Sequence, residues 1–81
     1  MNATTKKQLI ADAAKRLGFE LVKADCHRNF FHLRRGTEVR LGFIDHKISA
    51  FGIRAAVGSA ITFGMRLDRA EGSRYFAANQ E

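Results

Sequence analysis

The chain has one cysteine among its 81 residues, so no disulfide can form within it. That residue, Cys26, fits a reducing, cytoplasmic location. No apolar run approaches the roughly 18 residues that a membrane helix needs. The hydrophobic core of a signal peptide is also missing. The sequence therefore predicts a cytoplasmic protein without a membrane partner.

Motifs for metals, cofactors and covalent catalysis are missing as well. Cys26 and His27 are adjacent, with no C-x-x-C or H-x-x-x-H pair beside them, so no metal site is expected. Neighbours on an extended chain point apart, which speaks against a nucleophile and base at these two positions. The glycines at 52, 58 and 64 match neither common phosphate-loop pattern. No cofactor is predicted.

What the chain does have is positive charge. Its net charge is +6, nine of its 14 basic residues are arginine, and residues 1–60 carry the whole excess. Arginine suits bidentate contact with phosphate, and a small basic domain is typical of nucleic-acid binders, although charge also keeps proteins soluble. We expect a single domain over residues 1–81, with a core over about 5–68 and a C-terminal extension over 69–81.

The first helix is predicted over residues 5–17. Thr5 is a capping residue and Gln8 stands three positions later, the spacing of a capping box. Gly18 is the glycine expected just past the helix. A first strand then follows over residues 19–24, and residues 25–29 form a polar turn. One stripe at helical spacing supports the helix: Leu9, Ile10, Ala13, Ala14 and Leu17.

Residues 30–43 predict a β-hairpin, because apolar and more polar residues alternate through them. We predict a three-residue loop, Arg34-Arg35-Gly36, with Gly36 in the left-handed position of a bulge. Leu33 then pairs with Thr37, whereas a two-residue Arg35-Gly36 loop would pair it with Glu38. The three-residue loop gathers one apolar face: Phe31, Leu33, Val39, Leu41 and Phe43. The other face would carry Phe30, His32, Glu38 and Arg40.

The pattern is weaker after residue 43. A second helix is predicted over 48–57, capped by Asp45 or Ser49 and ended by Gly58. Strict alternation from Ile61 to Leu67 predicts a last strand, and a single helix over 48–70 is the competing interpretation. Tyr75 and Phe76 are expected to pack onto the body over Phe30. The fold class is α+β, α-β-β-β-α-(β), an antiparallel sheet with helices on one face.

His27 and His32 are the candidate catalytic residues. Imidazole titrates near neutral pH and acts as general acid or base on RNA, where the 2′-OH is the nucleophile. Both could equally be ordinary polar residues at a strand edge. The candidate nucleic-acid contacts are the arginines expected on and around the polar face of the hairpin, with Lys47 approaching from the end of the third strand: Arg28, Arg34, Arg35, Arg40 and Lys47.

The order of these motifs resembles the HicA family of toxin ribonucleases over roughly residues 8–58. The residues that carry the resemblance are Arg16-Leu17-Gly18-Phe19 and a short strand, then His27-Arg28-x-Phe30-x-His32 before a turn glycine, and His46-Lys47 after an alternating strand. The resemblance implies a fold similar to a double-stranded-RNA-binding domain and a catalytic role for His27.

Two functions follow as hypotheses. The first is a small RNA-directed protein, with RNA preferred over DNA, acting as a toxin-type endoribonuclease that needs no metal. The second is a non-enzymatic phage- or plasmid-type regulator or inhibitor that binds nucleic acid or an acidic protein partner. The oligomeric state is open. Degradation of RNA that a His27→Ala variant does not cause would separate the two functions.

Overall fold

The computed structural model describes residues 1–67 of the chain. The predicted extension over 69–81, with the packing expected of Tyr75 and Phe76, lies outside these residues. Six elements follow one another: α1 Ala3–Arg16, β1 Glu20–Asp25, β2 Phe30–Arg35, β3 Glu38–Phe43, α2 Ala50–Phe63 and β4 Met65–Leu67. Among the described residues, neither helix combines the length and apolar character needed to cross a membrane.

The four strands form one antiparallel sheet in the order β1-β2-β3-β4. Both helices pack against one face of the sheet and enclose the main core, so the predicted α+β fold is confirmed. Burying this apolar surface is the main force that holds so small a domain together. The core residues are Ile10, Ala14, Phe19, Phe31, Leu33, Ile44, Ile53, Val57 and Ala60.

Helix α1 starts earlier than predicted because Asn2, not Thr5, caps it. The Asn2 side chain accepts a hydrogen bond from the backbone N–H of Thr5 at 2.8 Å, which satisfies one of the unpaired donors of the first turn. The predicted capping box does not form, since Gln8 donates to Asp12 instead. At the other end Gly18 has φ +81°, the left-handed conformation expected past a helix.

The loop and register of the hairpin differ from those predicted from the sequence. Arg35 pairs with Glu38, which leaves a two-residue loop of Gly36 and Thr37. Gly36 provides the positive φ, +58°, at the first loop position, so no bulge residue is needed. Leu33 therefore pairs with Arg40 rather than with Thr37.

This register differs from the predicted one by an odd number of residues, so β3 presents its opposite face. Phe31 and Leu33 face the helices, as do their partners Gly42 and Arg40. Val39, Leu41 and Phe43 lie on the far face, beside Phe30 and His32. The predicted single apolar face is therefore wrong, and so is the predicted sharing of a face by His32 and Arg40.

Gly42 explains why the alternation was misleading. A Cβ atom at this position would clash with the Phe31 ring and would lie 2.7 Å from the Cβ of Ala60. The ring of Phe31 fills the place of a side chain at residue 42. An inward position of β3 is thus occupied by glycine, which a count of apolar residues does not recognise.

Helix α2 is longer than predicted. Ser49 caps it by accepting from the N–H of Gly52 at 3.0 Å, and it runs through Gly58 to Phe63. The strand predicted from Ile61 is therefore wrong for residues 61–63, and β4 covers only residues 65–67. The competing helix over 48–70 is also wrong. The helix continues because Val57 and Ala60 are buried in the core one turn apart.

Candidate functional site

Two histidines meet at one end of the sheet. The turn between β1 and β2, the loop between β3 and α2, and the start of α1 all lie there. They border two adjoining depressions, of about 380 and about 280 Å³, which share Cys26 and His27. We call them together the His27 pocket. The first adds Lys7, Lys23 and Asp25 to its wall, and the second adds Lys6 and His46.

Asp25 fixes the turn that presents His27. Its carboxylate oxygen Oδ1 accepts hydrogen bonds from the backbone N–H groups of Arg28 and His27, each at 3.0 Å. The hydrogen bond from Arg28 is the main reason that the pKa of Asp25 lies below its usual value. Asn29 closes the turn with φ +59°, a conformation that asparagine tolerates. The exposed imidazole of His27 is thereby held at the pocket rim.

Lys6 and Cys26 connect the three segments. The Lys6 side chain is buried, 7% exposed, and its Nζ donates to the backbone oxygen of His46 at 2.9 Å. Cys26 Sγ makes a long contact of 3.8 Å with the carbonyl oxygen of Ala3. The first bond ties α1 to the loop that carries His46, and the second ties α1 to the turn that carries His27.

Sequence reasoning missed His46 as a site residue. It stands 19 positions after His27, on a different loop, so no spacing motif connects the two. The signal that could have found it is topological: in an antiparallel sheet the β1–β2 turn and the end of β3 lie at the same end. His46 begins the polar pair His46-Lys47 that follows β3, and its side chain is exposed.

The predicted arginine cluster does not form as expected. Arg34, Arg35 and Arg40 lie at the other end of β2 and β3, which we call the hairpin tip (residues 34–40). Arg28 is separated from them by the length of β2, roughly 18 Å. Arg34 and Arg35 also lie on opposite faces of the sheet, since they are consecutive in one strand.

Each arginine of the hairpin tip has a carboxylate partner. Arg34 forms an ion pair with Glu20 across the β1–β2 pair. Arg35 and Arg40 both contact Glu38, at 3.2 and 2.6 Å. The hydrogen bond from Arg35 is the main reason that the pKa of Glu38 lies below its usual value.

Two of these arginines also contact the protein body. Arg35 places its guanidinium 4.5 Å from the centre of the Phe19 ring, a cation–π contact. Arg40 is buried, 7% exposed, and donates to the backbone oxygens of Ile61 and Val39. Arg40 is therefore not available at the surface as predicted.

The remaining predicted contacts are nearer to His27. Arg28 is half exposed and lies 4.0 Å from the Asp25 carboxylate, within the turn that holds His27. Lys47 is exposed beside His46, but it does not line either part of the His27 pocket. The structure thus keeps Arg28 at the site and leaves Lys47 at its border.

His32 does not join His27. It lies on the sheet face opposite the helices, paired with Lys23 and Leu41, and is only 6% exposed. Burial, with a smaller effect of the Arg34 charge, lowers its pKa to about 4. At neutral pH this imidazole is uncharged and out of reach of the pocket.

No group of three or more His, Cys, Asp or Glu side chains within residues 1–67 is placed to hold a metal ion. Comparison of the chain with protein-family models, curated proteins and solved structures gives no match. The functional interpretation therefore depends on the chemistry of the His27 pocket itself.

Proposed function

We propose that this chain is an RNA-directed protein that receives the RNA backbone at the His27 pocket and cleaves it as a metal-independent endoribonuclease. The observation that carries the proposal is the meeting of His27 and His46 at one pocket with three lysines in its wall. Lysine is a common phosphate ligand, and a pair of imidazoles is the simplest acid–base catalyst for RNA. A cytoplasmic location, favoured by the single cysteine, belongs to the same proposal.

The reaction needs only these groups. One imidazole accepts the proton of the 2′-OH while the 2′ oxygen attacks the adjacent phosphorus. The bond from phosphorus to the 5′ oxygen breaks, and the second imidazole, protonated, gives its proton to that leaving oxygen. The products are a 2′,3′-cyclic phosphate and a 5′-hydroxyl. Lys7 and Lys23 would stabilise the negative charge that develops on the phosphate.

The test is a cleavage assay with purified protein, total RNA and a chelator. Wild type is expected to leave 2′,3′-cyclic phosphate ends. His27→Ala, purified in the same way to control for contaminating nucleases, should cleave roughly 10²–10⁴-fold more slowly. A 2′-O-methyl RNA, which lacks the nucleophile, should bind and stay intact. Cleavage that persists unchanged in His27→Ala would refute the catalytic proposal.

The alternative is a non-enzymatic regulator that binds nucleic acid or a protein partner. The observation that favours it is the Asp25 carboxylate in the pocket wall, because a negative charge there opposes the developing charge on a phosphate. In that case wild type and His27→Ala would bind RNA with similar affinity and neither would cleave it.

A further inference from the structure

Helix α2 presents an apolar face away from the core. Phe51 is 79% exposed and Phe63 is 85% exposed, and Ala55 and Ser59 lie exposed between them. Arg54 is the one charged side chain on the helix. A Cβ atom added at Gly58 would meet nothing within 4 Å, so this face is open.

An apolar groove adjoins the C-terminal half of this face. It has a volume of about 320 Å³ and lies between α2 and the end of β3. Ala56, Ser59, Ala60 and Phe63 form its helical wall, and Phe43, 62% exposed, lies on the strand side. The groove and the exposed Phe51 therefore lie toward opposite ends of the same helix.

We propose that this face binds a second copy of the chain, with the two α2 helices crossing about a two-fold axis. Phe51 and Phe63 are 12 residues apart, which on a helix corresponds to roughly 18 Å along the axis and roughly 120° around it. A two-fold axis that lies in the interface, perpendicular to the line joining the two rings, exchanges their positions. It therefore brings Phe51 of each copy onto Phe63 and the groove of the other, the self-complementary arrangement that an isologous dimer requires.

The exposed area supports a dimer rather than an isolated patch. At roughly 200 Å² for a phenylalanine, the three rings expose on the order of 450 Å² of apolar surface in each copy. This is about the size of the largest patch on a typical monomer and more than half of the roughly 800 Å² that each partner buries in a standard interface. The small side chains of Ala55 and Ser59 allow the helices to approach closely.

The chemistry of this face favours a second copy of the chain over RNA. RNA needs several cations, and α2 contributes only Arg54 to this face. Association through apolar rings is not weakened by salt, whereas contacts to phosphate are. Salt should therefore weaken the proposed RNA contacts and leave the proposed dimer unchanged.

The first test is sedimentation velocity of the full chain from roughly 5 to 500 μM, a range suited to a small interface. Wild type should pass from monomer to dimer, equally well at high salt. Ala55→Arg should weaken dimerisation at least tenfold, and Gln8→Arg, the same charge change at an exposed position of α1, should not. Circular dichroism checks that both variants are folded. A monomer at every concentration, or a dimer indifferent to Ala55→Arg, overturns the proposal.

The second test addresses the two-fold arrangement. In a Cys26→Ser background, Ala55→Cys with an affinity tag is mixed with untagged Ser59→Cys and oxidised. Residues 55 and 59 of different copies should lie within the roughly 7 Å that a disulfide allows, so the mixed disulfide should predominate. Disulfides between like variants, or none, would overturn the arrangement.

Discussion

The hairpin tip and the His27 pocket are two basic regions within residues 1–67, and they differ in how their cations are partnered. At the tip, Arg34, Arg35 and Arg40 contact the carboxylates of Glu20 and Glu38. Arg40 is also buried. These arginines connect β1, β2, β3 and α2 to one another, and their charge is largely balanced within the protein.

The pocket has fewer carboxylates for its cations. Lys6, Lys7 and Lys23 border it, and Arg28 lies in its turn. Asp25 is the acidic residue in its wall, and the Asp25 carboxylate is engaged by backbone N–H groups. A run of arginines in a sequence therefore does not by itself locate a phosphate site. The position of carboxylates on neighbouring strands decides which cations are balanced.

The largest expected effect separates His46 at the His27 pocket from His32 on the sheet face opposite the helices. His46→Ala should slow RNA cleavage by roughly 10²–10⁴-fold, because it removes one of the two proton-transfer groups. His32→Gln should stay within a few-fold of wild type, since His32 is buried on the opposite face. Initial cleavage rates with one labelled RNA measure both. Equal losses in the two variants would contradict the assignment of proton transfer to His46 rather than His32.

His46→Ala removes the imidazole but keeps the hydrogen bond that holds the loop against α1, so the variant tests the imidazole alone. Lys6 bonds to the backbone oxygen of residue 46, not to the imidazole. The loop should therefore remain attached to α1 in His46→Ala, and RNA affinity should stay within a few-fold of wild type. A collapse of affinity together with cleavage would indicate that the imidazole binds RNA rather than transferring a proton.

The next largest effect is on stability and follows from the pKa of about 4 at His32. Between pH 6.5 and 4 the unfolded chain binds this proton and the folded chain does not, so stability falls as pH falls through this window. The loss amounts to at most about 3 kcal/mol. Urea unfolding should show this slope for wild type, and His32→Gln should flatten it. An identical slope in both proteins would contradict the burial of a neutral His32.

The same elements show how far the sequence predicts the fold. The C-terminal end of α1 and the existence of three strands follow from Gly18 and from the alternation of apolar residues. The hairpin register does not, because Gly42 occupies an inward position of β3 and Arg40 occupies another. In a sequence, glycine and arginine are typical of turn and surface positions. Gly42 faces the core because the Phe31 ring packs against it, and Arg40 does so because it donates to the backbone oxygen of Ile61.

The candidate site also follows only in part from the sequence, because some of its residues are brought together by the topology of the sheet. His27 is a candidate from the sequence because the polar turn around it is local in sequence. His46 is not, since only the sheet topology brings the β3–α2 loop beside that turn. The pairing of Arg34 does not follow from the sequence, because its partner Glu20 lies on β1, 14 residues away. Pairing across strands is not visible in a local pattern.

The smallest expected effect is a gain of RNA contact at the hairpin tip when Arg34 loses its carboxylate partner. Glu20→Gln removes the partner of Arg34 and should make the log–log salt dependence of RNA binding steeper by up to about one unit. Stability should change by less than about 1 kcal/mol, since the pair is exposed. Asp12→Asn, the same charge change on α1, is the matched control. Equal steepening in both variants would mean that net charge, not the pairing of Arg34, sets the response.

The most direct test of the account compares the two regions in one binding experiment. Lys7→Ala/Lys23→Ala and Arg34→Ala/Arg35→Ala each remove two cations, and both are titrated with 2′-O-methyl RNA over a range of salt concentrations. The lysine variant should lower the salt slope by roughly 1–2 units, and the arginine variant by less than about half a unit. The opposite ranking would contradict the account and make the hairpin tip the RNA-binding region.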